Sequence, residues 1–472
     1  MPLDLLRQGF RGADVAILVC FAVLNTGYLG LVLFGWVGLA RHMRRTRFAG
    51  LDEIAGSPLT RPVSVLMPVR DRAADSVGAV HAMLALRYPE FEVVVIDDGS
   101  TDDTFARLRE EFDLVSVPKV VPDEVPIRGA IRSVHVSRTR RDGLVVVRKD
   151  SGGKTDSLNV GLNFARYPLV CMVDPDAVLD PRALLWAAKP FADDPLGVVA
   201  TGCATRVVNG CTVVAGRVVD IRMPRGWLAR IQVVEHVRAL FLGQAGLPQT
   251  DRVVMTTGGF GMFRRDLVNR LGGLAYECAD ESTELVTRLH HQLWSERSEH
   301  RIAFVGEPVA WSEAPESLRT LSRERRHAHR GLAETLLRHR HMIGNPHYRQ
   351  VGLVSLPFQL LFGLVAPIAE LAGLVLVPAG VMLAAVDLSF LWWTLLVAYV
   401  YPTAVTVIAL WAEELAFHRS SRWLDLALAV CAAVFENLGY RQLTAWWGLR
   451  GIGAALRNRP ATWEKKVRRD FD

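Results

Sequence analysis

A chain of 472 residues, 50% of them hydrophobic and 22% charged, is long for a single ordinary domain and too charged to lie wholly in lipid. Its net charge of +6 would suit nucleic acid, yet the Lys and Arg residues gather beside apolar segments without interleaved aromatics, which sets aside a base-stacking surface and favours anionic lipid headgroups as the partner. The six cysteines, Cys20, Cys171, Cys203, Cys211, Cys278 and Cys431, form no C-x-x-C pair and no metal-ligand spacing, so they read as small reduced core residues.

In chain order, residues 15–40 contain no charged side chain, enough helix to cross a hydrocarbon core that needs about 20 residues. The run is too long for a signal-peptide h-region and lacks an A-x-A site. The basic stretch "RHMRRTR" follows, and by the positive-inside rule it places the next segment on the cytoplasmic side. Residues 1–50 are therefore expected to form an anchor with its basic flank.

Residues 58–342 are where chemistry can reside. "VSVLMPVRD", "YPEFEVVVIDDGSTDDT", "GLVVVRKDSGGKTDSLNVGLNFARYP" and "PLVCMVDPDAVLD" each run from a strand-like apolar stretch into Gly, Asp or Ser. Helical segments are expected over residues 103–112 and 155–165. The alternation predicts a mainly parallel sheet with helices on its faces, and ligands in such sheets lie beyond the carboxyl ends of the strands. Asp71 after Pro68, Asp97 and Asp98 after Ile96, Lys154 after Gly153, and Asp174 and Asp176 after Val173 would converge there. Alone, "DDGSTDD" is also an ordinary capped turn, and a single D-x-D arises by chance; the ordered set at successive strand ends carries the reading.

No G-x-G-x-x-G opens a helix after the first strand and no P-loop pattern occurs, so neither phosphate cradle is available. Several carboxylates with one lysine would repel a diphosphate unless a dication joined them. Asp174 and Asp176, separated by Pro175, are hard oxygen donors that suit Mg²⁺ or Mn²⁺ completed by substrate phosphate.

Residues 351–447 are apolar again, interrupted by "AEELAFHRSSRW". Three or four spans or interfacial helices are expected, with residues 388–411 the clearest. Glu370 and Glu436 lie in apolar stretches, where an acid is either functional or at a loop end. The basic tail, residues 448–472, argues for a cytoplasmic C-terminus and hence an even number of crossings after the middle domain.

The ordered motifs resemble those of the membrane-embedded glycosyltransferases of family 2, the group of cellulose, hyaluronan and poly-N-acetylglucosamine synthases. The resemblance runs from "VSVLMPVRD" to "YRQLTAWWGLRG" and implies an α/β GT-A domain, Rossmann-like and nucleotide-sugar-binding, inserted between transmembrane helices. It implies that Pro68, Asp97 and Asp98 line the nucleoside pocket. "GGKTDSLN" is similar to K-A-D-A-L-N, which implies Lys154 and Asp156 beside the nucleotide and diphosphate. Asp174 and Asp176 match the D-x-D, Asp174 towards the nucleotide and Asp176 towards the metal. "TTGGFGMFRRD", residues 256–266 and including Gly259, resembles the loop and strand near the acceptor.

Two motifs depart from the family pattern. In "CADESTELVTRLH" Glu281 stands at the family's Glu, and Ser282 stands where its catalytic Asp would be. Serine cannot accept a proton near neutral pH, so Asp280, Glu281 and Glu284 are the candidate bases, and Asp280 is preferred as the aspartate among them. In "LSRERRHAHRGL", similar to Q-x-x-R-W, Glu324 replaces Gln, His327 replaces Arg and Ala328 replaces Trp. Arg325, Arg326 and Arg330 can supply forked phosphate contacts that imidazole cannot. Loss of the indole removes a flat face for a sugar ring.

The sequence thus supports a metal-dependent inverting glycosyltransferase in a bacterial-type plasma membrane, moving sugar from a nucleotide-sugar, a UDP-sugar by preference, to a glycan or lipid-linked acceptor at the cytoplasmic face. The alternative is a degenerate nucleotide-binding homologue serving as scaffold or regulatory subunit of an envelope assembly. A transporter fits poorly, because the apolar segments are too few for an inverted-repeat carrier.

Overall fold

The computed structural model of the chain describes residues 2–46, 50–57, 60–118, 120, 122–138, 143–214, 216–241, 260–385, 387–417 and 423–457. The chain opens with helix α1 (Pro2–Thr46) and the short α2 (Leu51–Gly56), then β1 (Val63–Val69), α3 (Ser76–Leu84), β2 (Phe91–Asp98) and α4 (Thr104–Glu111). Strands β3 (Leu114–Val117), β4 (Ile131–Ser137) and β5 (Leu144–Lys149) precede α5 (Lys154–Phe164), β6 (Leu169–Val173), β7 (Val178–Leu179), α6 (Ala183–Asp193) and β8 (Val198–Val207). A hairpin of β9 (Thr212–Val214) and β10 (Arg217–Asp220) leads to α7 (Trp227–Ala239), β11 (Phe260–Arg264), α8 (Arg265–Arg270), α9 (Glu281–Ser295), β12 (Arg301–Ser312) and α10 (Leu318–Arg338). The last third is helical: α11 (Leu356–Gln359), α12 (Ala366–Met382), α13 (Leu388–Leu395), α14 (Tyr401–Phe417), α15 (Trp423–Phe435) and α16 (Arg441–Leu456), with π-helical turns between several of them.

Among the described residues two compact units arise, one from residues 2–44, 222–241 and 315–457, the other from residues 45–221 and 260–314. Helices α7 and α10, though they lie within residues 58–342 of the chain, pack with the apolar helices.

In the α/β unit a ten-stranded sheet has the order β3-β4-β5-β2-β1-β6-β11-β8-β12-β7. Its centre, β5-β2-β1-β6, is parallel, as the alternating sequence predicts. The whole sheet is mixed, since β11 runs antiparallel to both β6 and β8, and β3-β4-β5 form antiparallel pairs. The central strands are continuous apolar runs because both faces are covered. Val65, Met67, Val93 and Val95 enter one core cluster, and their alternating neighbours Leu66, Val94 and Ile96 enter the other. The register places Asp97 beside Val69 and Arg148, and Asp98 beside Lys149, so the polar strand ends come level at one edge.

The helical unit contains helices long and apolar enough to cross a membrane at Gln8–Gly38, Val351–Met382, Ser389–Leu415 and Trp423–Leu456. Three of the four follow the middle region, where the basic tail had called for an even number. The last is not one straight rod. Leu438 and Gly439 leave helical geometry, Gly439 with φ 96°, a left-handed value that glycine alone adopts without strain. Its straight arm α15 has 13 residues, about 20 Å at 1.5 Å per residue, short of a hydrocarbon core of about 30 Å.

Val234, Val237 and Phe241 beside α7 pack with Val32 of α1, Leu321 of α10 and Val405, Ala409, Ala432 and Ala433 of the later helices. Polar contacts cross the same interior. Arg238 pairs with Glu436 at 2.5 Å and Arg441 with Glu370 at 3.0 Å, while Gln442 donates to Glu370 at 2.8 Å. Glu235 accepts from Arg325 and, at 2.9 Å, from the Tyr440 hydroxyl. Glu370 and Glu436 are thus helix-embedded partners of arginine. Glu235, Arg238, Arg325, Glu370, Glu436, Tyr440 and Arg441 line a cavity of about 160 Å³.

Candidate active site

The parallel strands deliver their polar ends to one edge of the α/β unit. After β1, Asp71 takes a left-handed φ of 48° and its carboxylate accepts from the Thr101 amide at 2.8 Å and the Thr101 hydroxyl at 3.0 Å. The Asp71 amide in turn donates to the Ser100 hydroxyl at 3.0 Å, which locks the β1 and β2 loops together. Pro68 is buried within β1. Asp97, almost fully buried, accepts from the Ser100 amide at 3.0 Å and faces Arg148 at 3.4 Å. The Arg148 guanidinium lies over the Phe105 ring, 4.1 Å from its centroid.

Asp98 and Asp156 are fully buried and share one cation, the equally buried Lys149. Lys149 Nζ stands 2.6 Å from Asp98 and 2.7 Å from Asp156. Asp156 also accepts from the Arg128 and Gly129 amides and from the Tyr276 hydroxyl, at 2.7, 2.9 and 2.7 Å. Burial opposes its ionisation, but Lys149 and these donors prevail and hold its carboxyl below the usual aspartate range.

Lys154, the first residue of α5, bridges Asp174 at 2.7 Å and Glu281 at 2.8 Å. Although burial favours its neutral form, the two carboxylates hold its ammonium well above the ordinary lysine value. Lys154, Asp174, Glu281 and Ser282 line one small cavity of about 20 Å³, with Phe260 and Gly261 of β11 and Met172 and Val173 of β6 completing its wall. Asp176 follows on the same turn and is 8% exposed. Among the described residues no three His, Cys, Asp or Glu side chains gather as a complete metal cage. Asp174 and Asp176 offer the two hard oxygen donors that Mg²⁺ or Mn²⁺ takes from protein when phosphate and water supply the rest.

The three candidate bases part company. Asp280 is the N-cap of α9, accepting from the Thr283 amide at 3.1 Å and the Thr283 hydroxyl at 2.7 Å. Burial, with Glu281 adding to it, raises its pKa above the ordinary aspartate value. Glu284 is fully buried and lies 3.1 Å from Arg288. Glu281 alone of the three lines the cavity. Gly259 lies outside the described residues. Glu324, Arg325, His327 and Arg330 belong to α10 in the helical unit, where Arg325 pairs with Glu235 and Arg330 with Glu334 at 2.6 Å, and His327 is exposed. Lys149 and Tyr276 belong to none of the motifs read from the sequence; the available signal was the pair Arg148-Lys149 closing the apolar run "LVVV".

The profile of the family described as Glycosyltransferase like family 2 matches residues 61–330, more than half of the chain. The chain belongs to that family, and its α/β unit is a glycosyltransferase domain of GT-A type. Among curated proteins it is similar to the poly-beta-1,6-N-acetyl-D-glucosamine synthase of Staphylococcus epidermidis, 22% identical over 276 residues, covering 58% of this chain and 56% of that protein. The synthase of the same name from Staphylococcus aureus strain COL is 23% identical over 288 residues, covering 61% and 57%. The chain thus spans little more than half the length of these relatives. Of solved structures, the mannosyltransferase PcManGT from Pyrobaculum calidifontis, in complex with GDP-Man and Mn²⁺, aligns with a TM-score of 0.49 at 17% identity over 88% of this chain and 99% of that one. Staphylococcus aureus TarS 1–349 aligns with a TM-score of 0.40 at 15% identity, covering 81% and 91%.

Proposed function

We propose that the protein is a membrane-bound inverting glycosyltransferase that moves a sugar from a nucleotide-sugar, a UDP-sugar by preference, to a glycan or lipid-linked acceptor at the cytoplasmic face. The observation that carries this reading is the Lys154 ammonium held between Asp174 and Glu281 in a cavity at the carboxyl ends of the parallel strands. An arriving diphosphate competes for Lys154, and as the lysine turns to it, both carboxylates are released. Asp174 and Asp176 are the residues that would hold Mg²⁺ or Mn²⁺, and such an ion would supply neutralisation of the charge on the departing diphosphate. Glu281 accepts the proton of the acceptor hydroxyl as that oxygen bonds to the sugar anomeric carbon and the bond to the diphosphate breaks.

A second reading rests on Ser282, which lines the cavity where the family resemblance implies the catalytic aspartate. With Asp280 engaged as a cap and Glu284 beside Arg288, a degenerate nucleotide-binding scaffold is the rival. Purified protein given UDP-N-acetylglucosamine or GDP-mannose with Mn²⁺, with and without lipid or glycan acceptor, separates the two. Release of nucleoside diphosphate that rises with acceptor supports the transferase, and nucleotide binding with no release selects the scaffold.

The metal assignment has its own test. Asp176→Asn removes one charged ligand from a hard-cation site and is expected to weaken Mn²⁺-dependent UDP binding while leaving folding intact. Equal UDP affinity in the two proteins, with and without EDTA, would sink it.

The short α15 and the break at Gly439 also bear on topology. The Trp423–Leu456 segment is expected to turn back rather than cross, so that Arg457 shares a side with Ser100. Cysteines introduced at both positions should resist an impermeant thiol reagent in intact cells and react once the membrane is opened. Labelling at Ser100 from outside would overturn the cytoplasmic assignment, and labelling at Arg457 alone would show that the last segment crosses.

A further inference from the structure

We propose that Lys149 is a positioning residue of the donor site, joining Asp98 and Asp156 in one buried ion junction that sets Lys154 and Glu281. This rests on the glycosyltransferase reading of the Lys154 cavity. Lys149 closes β5 with no exposed surface. Its ammonium has three hydrogens, and three acceptors meet them: Asp98 Oδ1 at 2.6 Å, Asp156 Oδ2 at 2.7 Å and the Asp150 carbonyl at 2.7 Å. Those acceptors sit on three different elements, the end of β2, the first turn of α5 and the loop between β5 and α5. A buried charge is tolerated when it is paired and fully hydrogen-bonded, and here that condition joins the three elements at one atom.

The loop itself shows what the junction does. The Gly152 and Gly153 amides donate inward to Asp98 at 2.8 and 3.1 Å, so they are not presented to a phosphate. A Cβ at Gly152 would fall 2.3 Å from Asp156 Oδ2 and 2.9 Å from Lys149 Nζ, and one at Gly129 would fall 2.8 Å from Lys149 Nζ. Glycine is required at Gly152 because backbone packs directly on the ion junction. One residue beyond the Gly152-Gly153 pair, Lys154 begins α5 and reaches Asp174 and Glu281. On the far side Asp156 takes the Tyr276 hydroxyl, four residues before the Asp280 cap that starts α9 and sets Glu281. None of Lys149, Asp98 and Asp156 lines the cavity. Their common product is the placement of Lys154 on one side and Glu281 on the other.

The test reads Lys154 directly, so it does not depend on donor chemistry. Lys149→Met combined with Asp156→Asn removes the cation together with one of its counter-charges, which avoids leaving two unpaired buried carboxylates. Asp156→Asn alone keeps the shape and a single Lys149–Asp98 pair, and serves where the double variant does not fold. Acetylation of Lys154 by acetic anhydride is followed by peptide mass spectrometry, with Lys189 of α6 as internal reference. At unchanged melting temperature, Lys154 in the variants is expected to react roughly tenfold faster than in the wild type relative to Lys189, with faster amide exchange at Gly129, Gly152 and Gly153. The variants should also bind UDP with Mn²⁺ less tightly. A folded variant whose Lys154 reactivity stays within about twofold of wild type would overturn the positioning role. Faster labelling of Lys154 with no UDP or GDP binding by the wild type would instead uphold the junction and refute the donor reading.

Discussion

Glu281→Gln is expected to lower turnover by roughly 10²-fold or more, the span a general base contributes, while nucleoside diphosphate affinity is retained within a fewfold. An amide keeps the shape of the side chain and can still hydrogen-bond, but it cannot accept the acceptor's proton. Asp280→Asn is the matched control. Asparagine caps a helix as well as aspartate does, so turnover should stay within about twofold of wild type. A stability signature accompanies it. The Asp280 pKa is raised in the folded protein by burial and by Glu281, so the folded state binds the proton more tightly than the unfolded chain. Stability therefore falls as pH rises from the unfolded aspartate value to the raised folded value, and stays lower above it. Asp280→Asn removes that penalty, and its melting temperature at neutral pH should match or exceed wild type, with a flatter pH dependence in mild acid. A large loss of turnover in Asp280→Asn with normal activity in Glu281→Gln would return the base to Asp280, the residue the sequence favours. Loss in neither would place the proton acceptor elsewhere.

The second large effect concerns the helical unit. Arg238→Leu leaves the 2%-exposed Glu436 without its partner among apolar helices, and breaking a buried pair by removing one side costs about 3–5 kcal/mol. Thermal unfolding in detergent should show a marked drop. Replacing both residues, Arg238→Leu with Glu436→Leu, should recover most of it, because the uncompensated charge is gone. An Arg238→Leu protein as stable as wild type would show that the 2.5 Å pair contributes nothing to the packing.

The central strands were readable because each is a continuous apolar run ended by a polar residue, and α5 because Lys154-Thr-Asp starts a helix after two glycines. The strand β11 falls in the stretch where the family resemblance implies a loop and strand, but its antiparallel direction left no such trace. The strand is only five residues, Phe260–Arg264, and nothing in its own pattern says which strand it joins. Helix α7 escaped notice for a different reason: its charged residues Glu235 and Arg238 look solvent-facing along the chain, whereas their partners Arg325 and Glu436 come from distant helices. Asp174 and Lys154 could be placed near one another from strand order alone. That Glu281, and not Asp280, faces them depends on which residue caps α9, a choice between adjacent acids made by the Thr283 amide.

Both units are interleaved along the chain, and this sets terms for synthesis on the ribosome. Strand β6 waits for β11 to cover its free edge, and α7 is made in between, before most of the helices it packs with have been translated. A nascent chain therefore holds an open strand edge and an unpartnered helix at the same time, the state most open to off-pathway association. A truncation at Pro315 keeps every strand of the sheet, β12 included, but removes Leu321 and the later helices that α7 packs with, so the α/β unit obtained by such a cut still carries an apolar helix stripped of most of its partners.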